Sequence, residues 1–175
     1  MAEAIKSAIV GDSELFDFIE ANASEELYKN SEAMQQIVLR SVAVKSRIVA
    51  ADEHEGGIRR MLNLGHTIAH AIEKCSRKLN HGEAVAVGLS KISHISHSLD
   101  MLNDSDLQRI DNLLIKIGFS LDIPASITDV MREVRHDKKK SDNLLRLVFP
   151  EQIGSCRIVQ MPFDEVESCF NILKE

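Results

Sequence analysis

The sequence predicts a mainly α fold with one small β-hairpin, and three observations carry that prediction. Glycine and proline are sparse, eight and three in 175 residues, so few positions interrupt a helix. Apolar residues recur at three- and four-residue steps through most of the chain. Near the C-terminus the pattern changes to two short segments of branched residues with a turn between them. The length corresponds to one domain, large enough to bury a core without disulfides or metal.

The elements follow in order. Asp12-Ser13 ends a first segment, and Ser13 is placed to cap a helix over 14–22. Residues 31–49 form a long helical pattern whose apolar positions are Met34, Ile37, Val38, Val42 and Val49. Residues 52–57 are an acidic loop with paired glycines. Residues 59–74 read as helix again. Residues 82–99 are strongly apolar and predict a buried helix. Residues 105–117 are amphipathic and stop at Gly118, a C-terminal cap. Pro124 breaks the chain before a helix over 127–134. Residues 144–149 and 156–160 predict the hairpin, with Pro-Glu-Gln-Ile-Gly as its turn. A last helix spans 164–173, with Asp164 as its cap. Strands and helices do not alternate, and no GxGxxG motif is present, so this chain carries no dinucleotide-binding domain.

Composition narrows the function. Apolar residues make up 44% and charged residues 27%, which excludes a disordered chain or a fibre. Aromatics are only 4%, without tryptophan, so the core is aliphatic. The net charge of −6 argues against a nucleic-acid partner. No apolar run approaches the roughly 20 residues of a membrane span, and the first residues do not read as a signal peptide. Cys75, Cys156 and Cys169 lack CxxC spacing and read as free thiols of a cytoplasmic protein.

Histidines give the first chemical signal. His66 and His70 stand four apart, on one face of a helix, and His81 opens His-Gly-Glu. Three neutral imidazoles and an open position would suit a catalytic zinc. Spacing alone is a weak signal and favours an ordinary exposed or core-edge helix face. The zinc-protease motif HExxH is not matched, because Thr67 stands at the glutamate position. His94 and His97 read as a polar stripe on a packed helix, and His54 as a solvated loop residue. His136-Asp-Lys138-Lys139-Lys140, preceded by Arg132 and Arg135, offers cations to a phosphate. It lacks the interleaved aromatics of a single-strand nucleic-acid site.

Together these segments resemble a known family. Arg59-Arg-Met-Leu-Asn63-Leu-Gly-His66-Thr-Ile-Ala-His70-Ala-Ile-Glu73 is similar to the signature of 3-dehydroquinate synthases, and His81-Gly-Glu-Ala-Val-Ala-Val-Gly88 to the family's second motif. Ala2-Glu3-Ala-Ile-Lys6, then Val44-Lys45 with Asp52-Glu53-His-Glu55, and Asp137-Lys138-Lys139 resemble three more, in family order. Ala69 stands where the family usually has glycine, and Leu64 where an aromatic is common; both are packing changes.

The resemblance implies a multi-helix, metal-binding C-terminal domain with one small hairpin. It implies that Glu3, His66 and His81 hold Zn²⁺ or Co²⁺. It places His70 near the substrate but not on the metal, which departs from the choice of His66 and His70 that spacing alone suggests. Lys6, Lys45, Arg59 and Asn63 match substrate contacts, and Lys139, with Lys138 close behind, matches the family's substrate lysine. The implied substrate is a sugar-acid phosphate, 3-deoxy-D-arabino-heptulosonate 7-phosphate. The implied NAD⁺ belongs mainly to an N-terminal α/β domain that is absent from this chain, so an NAD-binding domain or companion chain is the expected partner. A homodimer is the family tendency. Sister cyclases making valiolone- or inosose-type rings share the metal residues; Arg59 and Asn63 beside the Lys6 motif lean toward the dehydroquinate reaction. A helical module that binds metal or a partner without catalysis is the reading from another class.

Overall fold

Helices dominate, as the spacing of apolar residues requires. The structure is a computed structural model and describes residues 1–54, 57–137 and 144–171. Helix α1 (Ala2–Gly11) is buried along Ala2, Ile5, Ala8, Ile9 and Val10, and therefore runs through the core. Asp12 ends it and starts α2 (Ser13–Asn22). The cap is Asp12 rather than Ser13: its extended backbone frees the side chain to accept from the Leu15 amide at 3.0 Å. The same carboxylate accepts from Arg40 Nε at 2.9 Å, which ties the junction to α3 (Ser31–Ala51). The side chain of Asn30 caps α3. The buried stripe of α3 is Ala33, Ile37, Val44 and Ile48, while Val38 and Val42, expected inside, are 53% and 54% exposed.

The helix expected over 59–74 is two elements. A short 3-10 helix, Ile58–Asn63, ends at Leu64, and α4 runs from His66 to Cys75. Between them Gly65 adopts φ +73, a left-handed conformation that favours glycine. Gly65 also lies against Gly88 of α5 (His81–Ser98). A Cβ on Gly65 would come within 2.8 Å of the Leu89 amide nitrogen, and one on Gly88 would run into the Gly65 carbonyl oxygen. Backbone-to-backbone contact thus fixes where α4 begins relative to α5.

Helix α5 starts with a complete capping box. Asn80 accepts from the Glu83 amide at 3.0 Å, and its own amide donates to Glu83 at 2.7 Å. Its interior is the most buried stretch of the chain, in agreement with the apolar run read there. Helix α6 (Asp104–Lys116) buries Leu107, Ile110, Leu113 and Leu114. Gly118, at φ +101, follows it as the sequence predicts. Helix α7 spans Ile127–Asp137.

The hairpin pairs β1 (Leu144–Gln152) with β2 (Ser155–Pro162), antiparallel, with Val148 opposite Ile158. Its strands run longer than predicted, and the turn shrinks to Ile153-Gly154, with Gly154 at φ +93. Pro150, which donates no ladder hydrogen bond, sits at the register irregularity. Helices hold the hairpin in place. Gly154 N donates to the Ile9 carbonyl at 3.0 Å, Ile153 N to Asp106 at 3.0 Å, and Ser96 Oγ to the Pro150 carbonyl at 2.6 Å. Helix α8 (Phe163–Asn171) starts one residue before Asp164, which falls in its first turn rather than at its cap. No helix among the described residues is long and apolar enough to cross a membrane.

Candidate metal centre

Three helices bring Glu3, His66 and His81 to one point. Each of the three lies in the first turn of its own helix: Glu3 in α1, His66 at the start of α4, His81 at the start of α5. One donor atom from each falls within 4.8 Å of the others. Glu3 Oε1 is 3.2 Å from His66 Nε2 and 3.8 Å from His81 Nε2. Ligands about 2.1 Å from a tetrahedral zinc lie about 3.4 Å apart, so the spacing suits such an ion.

The surroundings orient the three donors. His66 Nδ1 is 3.1 Å from the Leu64 carbonyl, which can only accept, so the proton sits on Nδ1 and the Nε2 lone pair faces the centre. His81 Nδ1 is 3.0 Å from the Glu73 carboxylate, with the same consequence. Glu3 divides its two oxygens. Oε2 accepts from Lys6 at 3.0 Å and from Lys45 at 3.1 Å, whereas the buried Oε1 has no hydrogen-bond donor among the described residues. An acceptor left bare beside two imidazole lone pairs is what a cation would satisfy. In the metal-free chain, with the His66 proton on Nε2 instead, that nitrogen donates to Glu3, and this hydrogen bond, helped by Lys6 and Lys45, holds the Glu3 carboxyl well below the usual carboxylate range, against the opposing effect of burial. Lys6 is the reverse case. Its side chain is only 4% exposed, and burial lowers its pKa although Glu3 pulls it up.

The other residues predicted for the site divide. His70, one turn beyond His66, is a ring neighbour of both histidines, with centroids 5.5 Å from His66 and 6.4 Å from His81, but it is outside the donor cluster. Asn63 and His70 line a cavity of about 140 Å³ beside the centre, with Thr67, Arg60 and Arg146. Lys6 and Lys45 hold Glu3. Arg59 stands apart: its guanidinium donates to the Glu53 carbonyl at 2.9 Å, and its amide donates to Asp52. Lys138 and Lys139 lie outside the described residues. Glu73, Arg60 and Arg146 were not singled out from the sequence. Glu73 was within reach, because it ends the quoted motif on the same helix as His66. Arg146 gave no signal, since only the hairpin fold brings it here.

The remaining histidines behave as polar surface. His94 pairs with Asp111 at 2.7 Å and His97 with Asp104 at 2.6 Å. The three cysteines are free thiols.

Comparisons with known proteins give the family and the fold. Residues 1–140 match the family model described as 3-dehydroquinate synthase C-terminal. The 3-dehydroquinate synthase of Geobacter sp. (strain M21) is 37% identical over 164 residues, which cover 92% of this chain and 45% of that protein. Among solved structures, a 2-epi-5-epi-valiolone synthase from Streptomyces hygroscopicus with NAD⁺ and Zn²⁺ bound superposes with a TM-score of 0.85 at 23% identity, over 99% of this chain and 49% of that one. A 2-deoxy-scyllo-inosose synthase complexed with carbaglucose-6-phosphate, NAD⁺ and Co²⁺ gives a TM-score of 0.82 at 21% identity, over 97% and 50%. At these identities the two structures speak to the fold. The chain spans about half the length of the curated relatives it matches.

Proposed function

The chain belongs to the 3-dehydroquinate synthase C-terminal family, and from that premise we propose that it supplies the metal- and substrate-binding half of a 3-dehydroquinate synthase. The reaction would convert 3-deoxy-D-arabino-heptulosonate 7-phosphate to 3-dehydroquinate and phosphate, a step toward aromatic amino acids. The observation that carries the reading is the convergence of Glu3, His66 and His81 donor atoms within 4.8 Å. Curated relatives sharing about a third or more of their residues are named for the dehydroquinate reaction, which favours it over the valiolone and inosose reactions.

Glu3, His66 and His81 would hold a Zn²⁺ or Co²⁺ ion. When bound, that ion would polarise a substrate hydroxyl while NAD⁺, carried by an N-terminal domain or companion chain, takes the hydride. The residues of this chain would do the rest. Lys6 and Lys45 fix the Glu3 carboxylate and leave one oxygen facing the centre. The Asn63 amide lines the adjoining cavity, where it can hydrogen-bond the bound substrate. The His70 imidazole borders the same cavity, within reach of a proton on the substrate. Arg59 would reach a substrate carboxylate by leaving the Glu53 carbonyl.

Metal analysis tests the reading. The purified chain is expected to hold close to one zinc or cobalt, and His81→Ala to lose it. Unchanged metal content in that variant contradicts the ligand assignment. Turnover with NAD⁺ is expected only when an NAD-binding companion is added; full turnover by the chain alone contradicts the division of labour.

A further inference from the structure

We infer that the Lys6 ammonium is a built-in counter-cation of the metal centre: it supplies the positive charge beside Glu3 and His66 when no ion is bound, and it limits how tightly the ion is held. The inference rests on the proposed function for the metal, and it gives Lys6 a role other than the substrate contact that the resemblance implies.

Burial marks Lys6 first. A lysine is almost never fully buried unless it is paired, and Lys6 is 3% exposed, between the buried Ile5 and Ser7 of α1. Its Nζ lies 3.0 Å from Glu3 Oε2, one turn back on the same helix, and 3.5 Å from His66 Nε2 on α4. One ammonium thus touches two of the three converging residues. Lys6 does not line the cavity that Asn63 and His70 share. Lys45 differs. It meets the same Glu3 oxygen at 3.1 Å, but its side chain is 42% exposed, so it can exchange that contact for water.

The charges give the consequence. Glu3, together with Glu73 beside His81, brings two negative charges to the centre, and Lys6 and Lys45 bring two positive ones. These four groups balance without an ion. A divalent cation adds two positive charges that nothing in the set offsets, and the buried ammonium cannot swing into water to escape them. The two oxygens of Glu3 let both cations share it. Oε2 is taken by the lysines, whereas the buried Oε1 has no hydrogen-bond donor among the described residues and lies beside the imidazoles. Ion and ammonium therefore do not contend for one atom; they oppose each other across one carboxylate. A lysine that served only to fix Glu3 would strengthen metal binding, and its loss would weaken it. A counter-cation has the opposite sign.

Zinc titration against a chromophoric chelator reads that sign, together with thermal unfolding of the full 175-residue chain in zinc and in excess chelator. Lys6→Met keeps an unbranched side chain and removes the charge. It is expected to bind zinc about tenfold more tightly, because a divalent and a monovalent cation a few ångströms apart repel even when well screened. In chelator it is expected to unfold at a lower temperature than the unaltered chain, and zinc is expected to raise its midpoint by more. Lys6→Gln leaves Glu3 a neutral donor and is expected to show the same gain in affinity with a smaller loss in chelator, so the sign stays readable if Lys6→Met does not fold. Lys6→Arg keeps the charge and is expected to show no gain. Lys45→Met removes an exposed, screened charge and is expected to gain less than about threefold. Zinc affinity that is unchanged or weaker in the Lys6→Met and Lys6→Gln chains overturns the inference, as does an equal gain in Lys6→Arg or in Lys45→Met. Zinc binding by none of the chains would remove the metal reading and the inference with it. Zinc held by the unaltered chain, lost in His81→Ala and no tighter without the Lys6 charge, would remove the inference alone.

Discussion

Replacing Gly88 with alanine sets two known effects against each other, and the structure decides the sign. In the middle of an ordinary helix, glycine to alanine gains roughly 0.8–1 kcal/mol of helix stability. At this position the new Cβ would run into the carbonyl oxygen of Gly65, with the Gly65 carbonyl carbon at 3.1 Å and the Ala69 amide nitrogen at 3.3 Å. All three are backbone atoms, so no side chain can rotate away. Overpacking of this kind costs typically about 1–3 kcal/mol, and a clash against rigid backbone belongs at the top of that range. The balance is a net loss of about 2 kcal/mol. For a chain of 175 residues that lowers the thermal midpoint by about 4–8 °C. Gly82 is the control. It lies in the first turn of the same helix, and its added Cβ meets only Asn80 Oδ1, at 3.4 Å. Gly82→Ala is therefore expected to be neutral or mildly stabilising. Thermal and urea unfolding of both variants, with zinc titration, measures the effect. Gly88→Ala should also bind zinc more weakly, because any shift of α4 carries His66 with it. A midpoint for Gly88→Ala at or above that of the unaltered chain would refute the claim that this crossing is set by backbone contact.

Other outcomes follow from the same geometry. Glu73→Gln keeps the shape beside His81 but removes the charge that orients its ring, and a 10- to 100-fold loss of zinc affinity is expected by competition with a chelator; an unchanged affinity would show that the 3.0 Å contact does not matter to the metal. In the metal-free chain the depressed Glu3 carboxyl favours the folded state above its unfolded pKa, near 4.5, and that contribution is lost as pH falls through the folded value. The stability difference between the unaltered chain and Glu3→Gln should therefore shrink below about pH 5 in acid unfolding, and a difference that grows with acid has the wrong sign. Burial pushes the Cys156 thiol up to about 12, so a thiol reagent at neutral pH is expected to label Cys156 only on unfolding, after the partly exposed Cys75. Rapid labelling of native Cys156 would contradict its placement.

How much of this was visible in the sequence depends on distance along the chain. Elements with their own local code were legible: the apolar run of α5, the amphipathic α6 with Gly118 behind it, and the hairpin. The α3 pattern located a helix but not its buried face. Periodicity marks every apolar stripe, and Val38 and Val42 lie beside the stripe that packs. The break at Gly65 was missed because one left-handed residue interrupts a pattern that otherwise continues in phase. The candidate metal centre shows the limit more sharply. His66 and His70 share a helix face and invite pairing, yet the partners that converge with His66 come from α1 and α5. Glu3 lies 63 residues earlier and has no periodic relation to either histidine. Only the resemblance of whole motifs placed these three together, and the structure supplies the reason in the packing of α1, α4 and α5. Arg146 was beyond any local reading.

Glu3, His66 and His81 all occupy the opening turns of their helices, and this has an electrostatic consequence. Each amino-terminal end carries about half a unit of positive charge from its unpaired backbone amides. Three such ends meeting in one place create a field that attracts anions before any side chain is counted. A hydroxide or a substrate oxygen that becomes negative there gains from the backbone itself. A cation gains nothing from it, and its residence depends on Glu3 remaining ionised.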